Sequence, residues 1–163
     1  APFAAHAGKM YPLKRMIEVI DTLNSKSDYQ VLLFGGGEQE ILKLAEIAKS
    51  RNKVFSVAGE LSLAEELALI SNLDAMVAMD SGNAHLAANY GIPVITIWGV
   101  THPYTGFYPF GQPEENALIP DREQFPLLPT SVYGYKVPKG YENVMETIHP
   151  EQVLGKISEV LAL

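Results

Sequence analysis

Apolar positions along this chain alternate between short continuous runs and helical spacing. Leu13, Met16, Ile17, Ile20 and Leu23 recur at three- and four-residue intervals behind Pro12, which predicts a helix with its proline at the entry. Tyr29 to Phe34 then reads as a strand, because Val31-Leu32-Leu33-Phe34 is unbroken apolar sequence of the kind found where both faces of a sheet are covered. Gly35-Gly36-Gly37 ends it, and Ile41, Leu44, Ala45 and Ala48 mark the next helix. Lys53 to Val57 is a further strand, followed by Gly59 and a helix announced by Ser62 and Glu65 in capping-box spacing, with Leu63, Leu67 and Ile70 as its stripe. Asp74 to Met79 and Pro93 to Trp98 are two more apolar strands, separated by the polar turn Asp80-Ser81-Gly82-Asn83-Ala84-His85 and a short helical stretch. Residues 99–140 lose the rhythm and predict a long ordered loop region with one short strand near Asn116 to Ile119, before Pro150 opens a last helix carrying Val153, Ile157, Val160 and Leu161.

Strand and helix in strict alternation predict right-handed crossovers. The expected fold class is therefore α/β, Rossmann-like, a mostly parallel sheet with helices on both faces. The opening Ala1-Pro2-Phe3-Ala4-Ala5 resembles the end of a strand running into a loop, since strands average about five or six residues and Pro2 is a poor centre for one. That suggests a chain cut from something longer.

Size and composition narrow the function classes. At 163 residues the chain is one domain, residues 1–163, long enough to bury its own core. A hydrophobic content of 47% with 19% charged residues is that of an ordinary globular protein. No apolar run approaches the roughly 18 to 20 residues that cross a bilayer, so no transmembrane segment is expected. The chain has no cysteine, which excludes disulfides and thiolate metal sites. A formal charge of −7 argues against a nucleic-acid partner, which requires clustered Lys and Arg. Any anion must be held locally.

The hexad at 80–85 is the strongest candidate for such a site. Carboxyl ends of parallel strands face a crevice, and the following helix aims unpaired N–H groups into it. In this reading Ser81 is the N-cap, the amides of Gly82 to Ala84 meet a phosphate, and His85 donates from one turn along. Alternatively, Asp80 and Ser81 only cap a helix and His85 packs in an interface. Lys9 lies in a loop at the same sheet edge, either as a cation for a phosphate or as a solvated side chain. Gly35-Gly36-Gly37 resembles a dinucleotide fingerprint, but G-x-G-x-x-G needs glycine where Glu40 stands. Glu38 or Glu40 is then a hydrogen-bond acceptor for a ribose hydroxyl, or a first-turn carboxylate favoured by the helix dipole. A serine nucleophile at Ser81 would need glycines at 79 and 83, where Met79 and Asn83 stand. His6, His85, His102 and His149 lack zinc-site spacing, so no metal is expected.

Taken in order, Lys9-Met10-Tyr11-Pro12, the Gly35-Gly36-Gly37-Glu38 turn, Gly59-Glu60-Leu61-Ser62-Leu63, the run from Asp80 to Ala88 and Gly99-Val100-Thr101-His102-Pro103 resemble the C-terminal half of glycosyltransferase family nine. These are the ADP-heptose:lipopolysaccharide heptosyltransferases. The resemblance implies a GT-B architecture in which this C-terminal domain holds the nucleotide sugar and an N-terminal domain, absent from this chain, holds a lipid-linked saccharide acceptor. It implies metal-independent, inverting transfer from ADP-heptose or another nucleoside diphosphate sugar, with no cofactor and with a general base outside this chain. Lys9 matches the lysine that stabilises the leaving diphosphate. Asp80, Ser81, Gly82 and His85 match the segment holding the diphosphate and donor sugar, Glu38 or Glu40 the acid near the ribose, and Thr101 a residue that closes over the donor. The implied location is cytoplasmic, with a peripheral position at the inner face of the inner membrane. Gly106-Phe107-Tyr108-Pro109-Phe110 and the run to Tyr141 fit the family loosely. Two other readings are a nucleotide-sugar epimerase of GT-B type, which would need further acid–base residues in the crevice, and a non-catalytic binding domain on the same sheet.

Overall fold

The computed structural model describes residues 1–162. Helices α1 (Leu13–Ser25), α2 (Glu38–Ala48), α3 (Leu63–Ile70), α4 (Gly82–Asn89) and α5 (Pro150–Leu161) alternate with strands β1 (Val31–Leu33), β2 (Val54–Ser56), β3 (Met76–Met79), β4 (Val94–Ile97) and β5 (Ala117–Leu118) in the expected order. Every pairing is parallel. β1 lies on β2 with Val31 opposite Val54, β3 lies on β4 with Met79 opposite Ile97, and β4 lies on β5 with Thr96 opposite Ala117. Among the described residues no helix is long and apolar enough to cross a membrane.

The ladders form two separate pieces, β1-β2 and β3-β4-β5. Between them runs a seam with a cavity of about 590 Å³, bordered by Val31 and Leu32 on one side and Met76 and Val77 on the other. The Ala1 nitrogen donates to the Val77 carbonyl at 2.9 Å, and Phe3 is buried, so the opening residues enter this seam without joining a ladder. That opening changes one expectation drawn from hydrophobicity. Val31 and Leu32 are only half-buried, whereas β3 and β4 are covered almost throughout.

Helix faces follow the predicted stripes with local slips. α1 buries Met16, Val19, Ile20 and Leu23. α2 buries Leu44 and Ile47, leaving Ala45 exposed, because its inward face drifts by one position from the sequence pattern. α3 starts with the full capping box, the Glu65 amide bonding to Ser62 Oγ and the Ser62 amide to the Glu65 carboxylate at 2.8 Å. Its first turn is nevertheless in solvent, with Leu63 exposed and only Ile70 fully buried. α4 buries Ala84, Ala87 and Ala88, residues small enough to let the helix lie close on β3 and β4.

The region 99–140 is ordered by short turns rather than regular elements, with 3-10 turns at Pro103–Thr105 and Glu114–Asn116 flanking the approach to β5. Its anchor is close backbone packing. The Val100 amide donates to the Gly8 carbonyl at 2.8 Å, and the amides of Thr130 and Ser131 converge on the Val100 carbonyl at 3.0 and 3.2 Å. A side chain at Gly99 would collide with the Gly8 carbonyl, and one at Gly8 would collide with the Gly134 carbonyl and Val100. Three loops meet here at a spacing only glycine permits.

Gly99→Ala therefore lowers stability by about 1–3 kcal/mol through overpacking against backbone, read as a reduced denaturation midpoint. Gly36→Ala, at a position with no neighbour within 4 Å of the added carbon, is the matched comparison and stays within about 0.5 kcal/mol of the parent.

Candidate functional site

The candidate centre forms where β3 ends and α4 begins. Asp80 follows the last residue of β3 and is 4% exposed, and its Oδ2 lies 3.2 Å from Lys9 Nζ, itself 15% exposed. The approach is one of opposite charges without the angles of a hydrogen bond, and Asp80 Oδ2 accepts none. Lys9 ends the 3-10 turn Ala7–Lys9, and that turn is fixed by Gly8 and Gly99, so its placement follows from the glycine packing just described. The expected convergence of Lys9 with the hexad is thus observed.

Ser81 occupies the N-cap position of α4 with extended backbone, φ −151° and ψ 168°, but its side chain does not cap. This corrects the expectation of a hydroxyl cap: Ser81 Oγ is buried and has no partner. The Ala84 amide is also not free, because it donates to the Ser81 carbonyl at 3.2 Å. The amides of Gly82 and Asn83 remain as the orphan donors of the first turn. Gly82 is exposed and a β-carbon built on it meets nothing within 4 Å, so the protein itself does not require glycine there. His85 is half-buried one turn along.

Just beyond β4, Thr101 is 1% exposed and its Oγ1 is unpartnered. His102 beside it received no role from the sequence, although its motif was visible. Its Nδ1 accepts from the Tyr104 amide at 3.2 Å, which places the ring proton on Nε2. Nε2 is buried without a partner. Desolvation, reinforced by the positive charge of Arg122, lowers the His102 pKa and keeps the ring neutral. Among the described residues, the buried side-chain polar atoms lacking a partner are those of Asp80, Ser81, Thr101 and His102. Native interiors rarely leave such atoms unpaired, and their gathering at the carboxyl edge of two adjacent strands marks a place built for a polar ligand.

Glu38 and Glu40 behave differently from each other. The Glu40 carboxylate accepts from the Gly36 amide at 3.0 Å and holds the glycine turn, while Glu38 is exposed as the first residue of α2. Neither forms a hydrogen bond or ion pair with the Lys9–Asp80 centre, which belongs to the other ladder. None of these residues lines the seam cavity. Among the described residues no group of three His, Asp or Glu side chains is arranged to hold a metal ion.

Known proteins share both the sequence and the shape. The profile of glycosyltransferase family 9 (heptosyltransferase) matches residues 1–125. The lipooligosaccharide heptosyltransferase 2 of Haemophilus influenzae is 31% identical over 139 residues, which cover 82% of this chain and 38% of that protein. The structure of Escherichia coli ADP-heptose LPS heptosyltransferase II superposes with a TM-score of 0.73 at 24% identity, covering 99% of this chain and 45% of that one. Escherichia coli heptosyltransferase WaaC with ADP gives a TM-score of 0.70 at 21% identity, over 98% and 42%. The chain spans less than half the length of these relatives. All three are named as heptosyltransferases, and none as an epimerase. Through the match that runs from Ala1 past the Lys9–Asp80 centre and beyond β5, this chain belongs to glycosyltransferase family 9.

Proposed function

We propose that this chain is the donor-binding domain of a heptosyltransferase, and that it holds ADP-heptose at the carboxyl edge of β3 and β4. The observation that carries the reading is the set of unpartnered buried atoms of Asp80, Ser81, Thr101 and His102 beside the Lys9 ammonium. Family membership supports it, as does the solved relative that carries ADP. An acceptor hydroxyl attacks the anomeric carbon from the face opposite the diphosphate, the carbon–oxygen bond to phosphate breaks, and the nucleoside diphosphate departs with the electron pair. Negative charge grows on the phosphate oxygens during that step. Lys9, the amides of Gly82 and Asn83 and the His102 Nε2 proton are fixed donors that meet it without reorganising. Ser81 and Thr101 supply hydroxyls, His85 a further donor, and Glu38 an acceptor for the ribose, with Glu40 bracing the same turn. The proton of the acceptor hydroxyl goes to a base in an N-terminal domain outside this chain, which also binds the lipid-linked saccharide. Such an enzyme works in the cytoplasm at the inner face of the inner membrane, without a metal ion or cofactor.

Calorimetric titration of the 163-residue chain tests the donor site. ADP binds in preference to UDP and GDP, and more tightly than AMP. Absence of nucleoside diphosphate binding by the folded chain overturns the reading. Lys9→Met lowers ADP affinity by more than it lowers adenosine affinity. Because Asp80 would keep a buried carboxylate without its cation, this variant also loses stability.

Gly82→Ala separates ligand from fold. Open space above Gly82 means that the folded chain tolerates the methyl group, and its denaturation midpoint holds or rises slightly. ADP affinity falls by about tenfold or more if a phosphate approaches the Gly82 backbone.

A pH scan tests the neutral state of His102. Its folded pKa is lowered from 6.5, so the unfolded chain takes up a proton first as the solution is acidified. The stability this group contributes is complete above pH 6.5 and declines as the pH falls below it. His102→Asn removes that part of the acid sensitivity, so its midpoint drops less between neutral and mildly acid pH than the parent's. Equal slopes for both proteins would refute a neutral buried imidazole.

A further inference from the structure

Residues on both sides of the end of the family match, which covers 1–125, form an arrangement that the donor site does not use. Phe107, Tyr133, Tyr135 and His6 form a continuous strip of rings. Centroids lie 5.7 Å apart from Phe107 to Tyr133, 6.3 Å from Tyr133 to Tyr135 and 6.1 Å from Tyr135 to His6; the two tyrosine rings are within 10° of parallel, while Phe107 is inclined by 56° to Tyr133 and His6 by 69° to Tyr135. Tyr133 and Tyr135 are 57% and 60% exposed. Large rings so open to solvent contribute little to a core.

Yet their backbone is tightly held. Ser131 Oγ accepts from the Gly134 amide at 2.9 Å and from the Lys136 amide at 3.4 Å, and Thr130 Oγ1 donates to the Lys136 carbonyl at 3.0 Å. The Thr130 and Ser131 amides fasten the same segment to the Val100 carbonyl. Gly134, between the two tyrosines, has φ +89° and lies so close to Lys9 that an added β-carbon would overlap the Lys9 side chain. The middle of the strip therefore rests against the aliphatic stem of Lys9, the residue assigned to the leaving diphosphate.

We propose that this strip is a saccharide-binding platform by which this domain adds its own contact to the acceptor that the N-terminal domain holds, next to the donor phosphate. The inference rests on the donor-site reading above. In a transfer reaction the group adjoining the diphosphate is a sugar, and the acceptor must approach the same carbon. Sugar rings present apolar C–H faces that cover aromatic rings, and tyrosine adds hydroxyls at the edge for the sugar's own. The two near-parallel tyrosines, flanked by the inclined rings of Phe107 and His6, offer contacts to more than one sugar residue, which suits an oligosaccharide acceptor rather than the single donor sugar. Rigid tyrosines also bind at low entropic cost.

The test uses the whole 163-residue chain, its Tyr133→Ser/Tyr135→Ser variant, and the core oligosaccharide released from lipopolysaccharide by mild acid. With ADP present, saturation-transfer NMR detects the oligosaccharide on the parent, and the double variant binds it about tenfold more weakly while ADP affinity by calorimetry is unchanged. Equal oligosaccharide binding by both proteins overturns the platform, as does ADP binding to a parent that takes no oligosaccharide. Loss of ADP affinity in the variant also overturns it, by assigning the rings to the nucleotide. A parent that binds neither ligand refutes the donor site and the platform together.

Discussion

Close backbone packing among Gly8, Gly99 and Gly134 is the constraint on which the functional edge of this domain depends. It brings the turn after the opening residues, the loop after β4 and the tyrosine-bearing loop into one contact, with the Val100 amide bonded to Gly8 and its carbonyl shared by Thr130 and Ser131. A β-carbon at any of the three would collide with backbone or with Lys9. This packing sets the height of Lys9 above the end of β3, and so its 3.2 Å approach to Asp80. Ladder hydrogen bonds fix the strands, but the glycine contact fixes the cation.

The centre so formed is deliberately incomplete as a piece of protein interior. Buried polar atoms ordinarily find partners, and an orphan typically costs about 1–3 kcal/mol. Ser81, Thr101 and His102 each carry one, and Asp80 Oδ2 has the Lys9 charge beside it but no hydrogen bond. A domain tolerates that cost where a ligand supplies the missing partners, because the same atoms then need no rearrangement to receive it. At Gly82 the protein itself has room for a side chain, so the fold alone does not call for glycine there. The net charge of −7 fits the proposed site, in which an anion would meet one placed lysine and oriented dipoles rather than a basic surface.

Much of the architecture was legible in the order of apolar runs. All five helices and the four principal strands fall where periodicity put them, since burial of a face imposes a spacing that the chain must carry locally. Discrepancies appear where burial depends on distant neighbours. Val31 and Leu32 are continuous with a core strand in sequence but border the open seam, and Leu63 has helical spacing but no facing element to cover it. At the site, the hexad and Lys9 were readable because strand-end chemistry is local. Ser81 was read as a cap although its hydroxyl stays free, and the sequence does not choose between Glu38 and Glu40 as the ribose acceptor, whereas the fold sets Glu40 against the Gly36 amide and leaves Glu38 exposed. His102 was missed because its significance lies in an unpaired Nε2, and pairing is a property of three-dimensional surroundings.

The sequence alone determined the alternation of strand and helix, the α/β class, the polar turn that ends β3 and the absence of a basic surface, because each is written in the identity and spacing of near neighbours. Only the tertiary structure decided that Lys9 meets Asp80 across 71 positions of chain, that the glycines from three loops touch, that the sheet divides at a seam, and that Phe107, Tyr133, Tyr135 and His6 line up. These depend on which loops are pressed together once the core has formed. Loop positions answer to packing and hydrogen bonds made far away in sequence, and no local pattern encodes them.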